Sequence, residues 1–355
     1  MIISARKDII ESILINAQPF LERKDPTNIT SHIYIDAKDN ETTIRATDNE
    51  IGLEVKSDQF NIEIPGTFTV NGRKLLEIVR TLKLDNIIFE LENDYLLIKQ
   101  GKSKFKLPTF NHQEYPTFPS LDGKESITLD SISLIKSFKK INPAIDTNNP
   151  KFELNGALLD IKTDKTYIVG TDTRRLAVVE LENSANSEIS LIIPKKTITE
   201  IQKLFLDEIE LYYDENHLIV KNDQFYLFSR LINGKFPDYQ RIIPKTTKLN
   251  FNIDKKSFID ATKIITTISN DILITFDNNS IALKSLDNNN QEAQTEIEAP
   301  ISIDEPFTFA VNSKFILDFL SQIDTNEFNI GLNEPTLPFL VSSQNFKTVI
   351  MPIIL

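Results

Sequence analysis

A short pattern occurs three times along this chain of 355 residues, at near-equal intervals: VNGRKLLEIVRTL at 70–82, IPKKTITEIQKLF at 193–205 and VNSKFILDFLSQI at 311–323. Each copy follows a strand-like run and opens on Asn or Pro, residues that start helices well. Each then carries apolar residues at helical spacing, as in Leu75, Ile78, Val79 and Leu82. A hairpin signal follows every copy. Asn86–Leu91 and Tyr95–Gln100 flank Glu92-Asn93-Asp94; Glu208–Tyr213 and His217–Asn222 flank Asp214-Glu215-Asn216; Glu327–Leu332 and Phe339–Ser343 flank Asn333-Glu334-Pro335. Another amphipathic helical segment opens each third of the chain, starting near Ile3, Leu129 and Ile253, with Asp130 and Asp254 as natural caps. Every copy therefore reads strand, helix, several strands, helix, several strands.

This pattern predicts an α+β chain: three repeated domains, each of two helices packed on antiparallel sheet. The boundaries fall in Pro116–Lys124 and Asn233–Lys248, which gives domains at 1–120, 121–245 and 246–355. The run Asp287–Asn290 reads as a solvated loop tip inside a copy.

With 40% hydrophobic and 25% charged residues, the chain can bury substantial cores and is not a disordered composition. It has no cysteine, hence no disulfide framework and no cysteine-ligated metal, which suits a reducing cytosol. Met1–Asp8 lacks a basic segment followed by a continuous apolar one. No stretch approaches the ~20 apolar residues of a membrane span. A cytoplasmic protein without a membrane partner is expected.

The net charge of −12 taken globally argues against nucleic acid. Its distribution does not. Val70–Lys83 carries Arg73, Lys74, Arg80 and Lys83 against Glu77. Ser131–Ile141 carries Lys136, Lys139 and Lys140 with no acid, and Lys195–Leu206 carries Lys195, Lys196 and Lys203 against Glu200. The helical segments are together basic and the remainder is strongly acidic. One reading is that helices simply tolerate lysine in mid-segment. The other is that the helices share a basic surface that holds duplex DNA by diffuse phosphate attraction, without reading sequence, while the acidic exterior repels it.

Signs of catalysis are few. His32, His112 and His217 share no metal-ligand spacing. Gly234-Lys235 lacks the rest of a phosphate loop. Asp172, between two threonines, is either a catalytic carboxylate or the stabiliser of an Asx-type turn. No cofactor, metal or catalytic set is expected.

The segment Leu231–Pro244 is long and apolar for a connector. Gly234 and Pro237 mark it as a turn, and Phe236, Tyr239, Ile242 and Ile243 need somewhere to pack. It is either a loop pinned to its own domain or a connector between domains whose junction forms a surface site.

LINGKFPDYQRIIP at 231–244, GTDTRRLA at 170–177 and the C-terminal VIMPIIL at 349–355 resemble the corresponding segments of the bacterial DNA polymerase III beta subunits, the DNA sliding clamps. The resemblance covers the chain in length and order. It implies a DNA-clamp fold, three similar domains per chain, with two chains closing a ring that slides on duplex DNA without sequence specificity. The implied partners are double-stranded DNA, the polymerase III catalytic subunit, the clamp loader and other clamp-binding-motif proteins of replication and repair. They would be bound by a hydrophobic groove for short peptides between domains 2 and 3. Carried onto this sequence, Thr171, Thr173, Arg174, Arg175 and Leu176 form one wall. Pro237, Arg241 and Ile242, with Met351, Pro352 and Ile353, form the others, and Leu154 forms the floor. Arg175 or Arg241 would meet polar atoms of the peptide. The family usually has Gly and then an aromatic or His where this chain has Thr173-Arg174.

The same resemblance adds Arg23, Lys24 and Asn148 to the DNA-facing residues, beside the helix residues Arg73, Arg80, Lys136, Lys139, Lys140, Lys196 and Lys203. It implies a homodimer in which domain one meets domain three of the other chain. Phe105 and Leu107 on the alternating run Lys102–Leu107, Thr267 and Ile268 in copy three, and Lys74 at the rim would form that contact.

Overall fold

All three sequence copies fold into the same succession of elements. Copy one comprises β1 (Ile2–Arg6), α1 (Lys7–Ala17), β2 (His32–Lys38), β3 (Glu41–Thr47), β4 (Ile51–Ser57), β5 (Asn61–Ile64), β6 (Gly66–Asn71), α2 (Gly72–Thr81), β7 (Asn86–Glu92), β8 (Tyr95–Gln100) and β9 (Ser103–Pro108). Copy two comprises β10 (Glu125–Ile127), α3 (Ser131–Ile141), β11 (Gly156–Ile161), β12 (Lys165–Thr171), β13 (Arg175–Glu182), β14 (Ile189–Pro194), α4 (Lys195–Leu204), β15 (Glu210–Tyr213), β16 (His217–Lys221) and β17 (Phe225–Arg230). Copy three comprises β18 (Leu249–Asp254), α5 (Lys255–Ile265), β19 (Asp271–Asp277), β20 (Ser280–Ser285), β21 (Gln294–Glu298), β22 (Phe307–Asn312), α6 (Ser313–Leu320), β23 (Glu327–Leu332), β24 (Phe339–Ser343) and β25 (Phe346–Ile350). The structure is a computed structural model that describes residues 1–183, 188–286 and 291–355; the run Asp287–Asn290 lies outside the described residues.

The pairing repeats as well. Copy one runs β1-β7-β8-β9 and β6-β2-β3-β4, copy two β10-β15-β16-β17 and β14-β11-β12-β13, copy three β18-β23-β24-β25 and β22-β19-β20-β21. Every ladder is antiparallel. Copy one departs only by β5, which pairs beyond β1.

The described chain forms two compact units. The first takes in residues 1–132 and 200–231, the second residues 133–199 and 232–355. Within the first, β17 pairs with β4, from Phe225↔Val55 to Ser229↔Ile51, and so joins the second copy to the first in one eight-stranded sheet. Within the second, β25 pairs with β13, from Ile350↔Arg175 to Phe346↔Val179, and joins the third copy to the second in the same way. Both junctions set the last strand of one copy against the equivalent end strand of another. The remaining strands of those two kinds, β9 and β21, are sheet edges.

The helices begin where side chains can satisfy their first free N–H groups. Asn71 Oδ1 accepts from Lys74 N at 3.0 Å, Asp254 Oδ1 from Ser257 N at 2.7 Å, and Asn312 Oδ1 from Lys314 N at 3.2 Å. Their apolar faces are buried: Leu75 and Val79 in α2, Phe258 and Ile265 in α5, Ile316 and Leu320 in α6. In each copy the first residue of the first helix also reaches a carbonyl just beyond the second helix. Lys7 Nζ donates to Leu82 O at 2.7 Å, Ser131 Oγ to Ile209 O at 3.2 Å, and Lys255 Nζ to Ile323 O at 2.6 Å. Lys7 and Lys255 are thus committed to the fold. Among the described residues no helix is long and apolar enough to cross a membrane.

Candidate partner groove and basic helix faces

The second unit contains a five-residue turn held by the side chains of Thr171 and Asp172. β12 ends on Thr171 and β13 begins on Arg175. Thr171 Oγ1 donates to Arg175 O at 2.6 Å and accepts from Thr173 N at 3.1 Å. Asp172 Oδ1 accepts from the backbone N–H of both Arg174 and Arg175 at 3.0 Å. The two carboxylate oxygens of Asp172 are thereby used, the second by Arg175 Nε at 3.1 Å. Asp172 forms the Asx-type turn that its neighbours suggested.

The connector after β17 packs against this turn. Ile232, Phe236 and Tyr239 are buried with Leu154, Leu158, Val169, Leu176, Val178, Ile192 and Val349 in one cluster. That cluster includes residues of both the second and third copies, so the connector is pinned to its own copy's sheet and also forms a junction. Tyr239 donates to Asp160 Oδ2 at 2.9 Å, and burial together with Asp160 raises its phenol above the usual range. From the other side the C-terminus closes in. Met351 N donates to Arg174 O at 2.9 Å and Ile353 N to Ala310 O at 2.8 Å.

These walls enclose a cavity of about 210 Å³. Of the residues singled out in the sequence, Leu154, Thr171, Thr173, Arg175, Leu176, Pro237, Ile242 and Met351 line it. Phe236, Tyr239, Val349 and Lys151 line it too; in the sequence the first two show only as residues in need of a place to pack. Arg174, Arg241, Pro352 and Ile353 do not line the cavity itself. Arg174 is exposed and Pro352 buried. Arg241 is 85% exposed and pairs with Asp238 at 2.7 Å.

Arg175 does something other than wait for a ligand. Its side chain is 4% exposed. It donates to Asp172, to Asp318 Oδ2 at 2.7 Å and to the carbonyl of Pro143, and its guanidinium lies 4.7 Å from the Phe315 ring centroid. The groove therefore rests on an ion-pair network that ties the turn to α6.

The basic residues of the helices differ in exposure and in their surroundings. Arg73 and Arg80 are exposed and seven residues apart on α2, so they share a face; Arg80 pairs with Glu11 at 3.5 Å. On α3, Lys136 and Lys139 are exposed, whereas Lys140 is half-buried, donates to Asn345 and has its pKa lowered by desolvation. Lys196 and Lys203 are exposed on α4, and Lys203 pairs with buried Glu200 at 2.8 Å. Arg23, Lys24 and Asn148 are exposed in loops. Phe105 and Leu107 sit half-buried on edge strand β9, and Lys74 pairs with Glu77 at 2.7 Å. Thr267 and Ile268 lie in the turn after α5, which packs over β20 and β21.

Among the described residues no group of His, Asp or Glu could hold a metal ion. The buried His32 faces Thr69 at 3.4 Å, and His217 faces Asp214 at 3.3 Å.

The family models for the DNA polymerase III beta subunit match in succession: the N-terminal domain over residues 1–119, the central domain over 128–238 and the C-terminal domain over 240–354. A beta sliding clamp of Helicobacter pylori is 36% identical over the whole of both chains. The crystal structure of the Helicobacter pylori beta clamp bound to a DNA ligase peptide superposes with a TM-score of 0.94 at 37% identity, covering all of both chains. The DNA polymerase III beta subunit of Pseudomonas aeruginosa shares the fold, with a TM-score of 0.91 at 23% identity over all of both chains. Three repeated domains, an unbroken match and close structural likeness leave one conclusion: the chain belongs to the bacterial beta sliding clamp family, the non-catalytic processivity factors of DNA replication.

Proposed function

We propose that two copies of this chain close into a ring around duplex DNA in the cytoplasm. The ring tethers the polymerase III catalytic subunit, the clamp loader and repair factors through the groove beside Thr171–Arg175. The observation that carries the ring is the pairing rule of the sheets. The last strand of a copy meets the end strand of a neighbour twice within the chain, as β17 on β4 and β25 on β13, and each edge left over, β9 and β21, has the other as its counterpart. Exposed sheet edges invite pairing, and a two-fold closure removes both pairs of them.

The two edges are also chemically matched. On β9, Phe105 and Leu107 are half-buried while Lys104 and Lys106 are exposed. On β21, Thr295 and Ile297 are half-buried while Glu296 and Glu298 are exposed. Antiparallel pairing sets Phe105 and Leu107 on the face of Thr295 and Ile297, and lysine against glutamate on the other. Ile268, in the turn after the helix that covers β21, would add an apolar contact. The three domains at 1–120, 121–245 and 246–355 are the units of this ring.

DNA contact rests on Arg23, Lys24, Arg73, Arg80, Lys136, Lys139, Lys140, Asn148, Lys196 and Lys203, which supply diffuse attraction without base readout. Peptide contact rests on the apolar cavity and its polar rim, as the ligase peptide bound to the Helicobacter pylori clamp suggests.

The direct test loads the protein onto a nicked circular plasmid with its clamp loader and then cuts the circle once. A ring stays with the circle through gel filtration in high salt and is lost on cutting. Equal retention on circular and linear DNA would contradict encirclement.

A further inference from the structure

Among the described residues, the non-glycine positions with positive φ are Asp39, Asn40, Asn49, Asn93, Asn279 and Gln344, and one more: Thr173, at φ 71°. The others are residues that tolerate the left-handed region, or nearly so. A β-branched residue there is a steric outlier, because its Cβ substituents crowd the neighbouring backbone. Strain of this kind persists only where its surroundings over-determine it. That is the case at Thr173. The turn is held by Thr171 Oγ1 and by both oxygens of Asp172, and the hydroxyl of Thr173 takes part in none of those bonds. The turn would close as well with glycine or asparagine at this position. Thr173 is exposed and lines the partner cavity together with Leu176, Pro237 and Met351.

We infer that Thr173 is a specificity-determining residue of the groove: its strained, branched side chain narrows the cavity so that a compact aliphatic anchor is admitted and an aromatic one is disfavoured. This rests on the reading of the cavity as a peptide groove. A cavity of about 210 Å³ is small for a peptide-binding cleft, so one extra branch on its wall decides what fits. Because the turn is pinned from both ends, the wall cannot retreat to make room.

The test is isothermal titration of the full chain with two forms of a clamp-binding peptide from DNA ligase, identical except that the anchoring residue is leucine or phenylalanine. The chain is used in three forms: unaltered, Thr173→Gly and Thr173→Asn. Binding of the leucine form should be preferred by roughly tenfold in the unaltered chain. Thr173→Gly should abolish or reverse that preference by strengthening the phenylalanine form. Thr173→Asn, which relaxes the backbone while keeping a side chain on the wall, should raise the melting temperature and leave an intermediate preference. Equal preference ratios in all three chains would overturn the inference even if both peptides bind. Failure of either peptide to bind any of the chains would remove the groove reading, and this inference with it.

Discussion

Arg175 and Asp318 are 143 residues apart in sequence and joined by a 2.7 Å bond from Nη1 to Oδ2. One stands at the start of β13 and the other on α6, so the pair fastens the groove-forming turn of the second copy to a helix of the third. The same guanidinium holds Asp172 and the Pro143 carbonyl. A buried planar cation with several acceptors is a fork that lysine cannot replace.

Arg175→Ala should therefore destabilise the second unit by about 3 kcal/mol, since it takes from Asp172 and Asp318 the buried cation they share. It should also weaken peptide binding although no direct bond to peptide is removed. Urea unfolding followed by the near-ultraviolet signal, together with a peptide titration, checks both effects. Arg175→Lys should fall between, because it restores charge but not the fork. Wild-type stability in the alanine variant would show that the network is incidental.

His32 gives the first unit an acid sensitivity. It is buried, stacked on Phe110 at a centroid distance of 4.1 Å, and burial lowers its pKa from 6.5 to about 4. Between those values the unfolded chain binds a proton that the folded chain refuses. Stability is thus complete above the unfolded value and declines as pH falls from about 6.5 towards 4, by about 2 kcal/mol after some allowance for solvent. Carboxylates titrate at the lower end of this window, so the measurement is a difference. His32→Phe keeps the stack and removes the titration, and its midpoint in urea should fall less than that of the unaltered chain between pH 7 and pH 5. Parallel pH profiles would contradict the assignment.

The repeated elements were legible because their causes are local. Helical periodicity around Leu75, Ile78 and Val79, the caps at Asn71, Asp254 and Asn312, and the polar hairpin turns all lie within a few residues of what they determine. Where signals act across the chain, the sequence was mute. The pairing of β17 with β4 and of β13 with β25 joins segments more than one copy apart, and no periodicity announces a partner. Glu296 and Glu298 on β21 stood out only once the pairing rule singled out that edge. That Arg175 is also tied to Asp318 has no local signal, because its partner lies 143 positions away. Phe236 and Tyr239 were recognisable as residues in need of a core, but that the same side chains also line a cavity follows from the path of the connector.

The ring depends on closure by β9 and β21, and sedimentation equilibrium across a concentration series measures that closure most directly. The unaltered chain should run as a species of two chains well below micromolar concentration. Lys104→Glu with Lys106→Glu should give monomers, as should Ile268→Asp. Adding Glu296→Lys and Glu298→Lys to the lysine variant should restore the dimer. A monomer at every concentration, or a dimer indifferent to reversal of the edge charges, would contradict the ring proposed here.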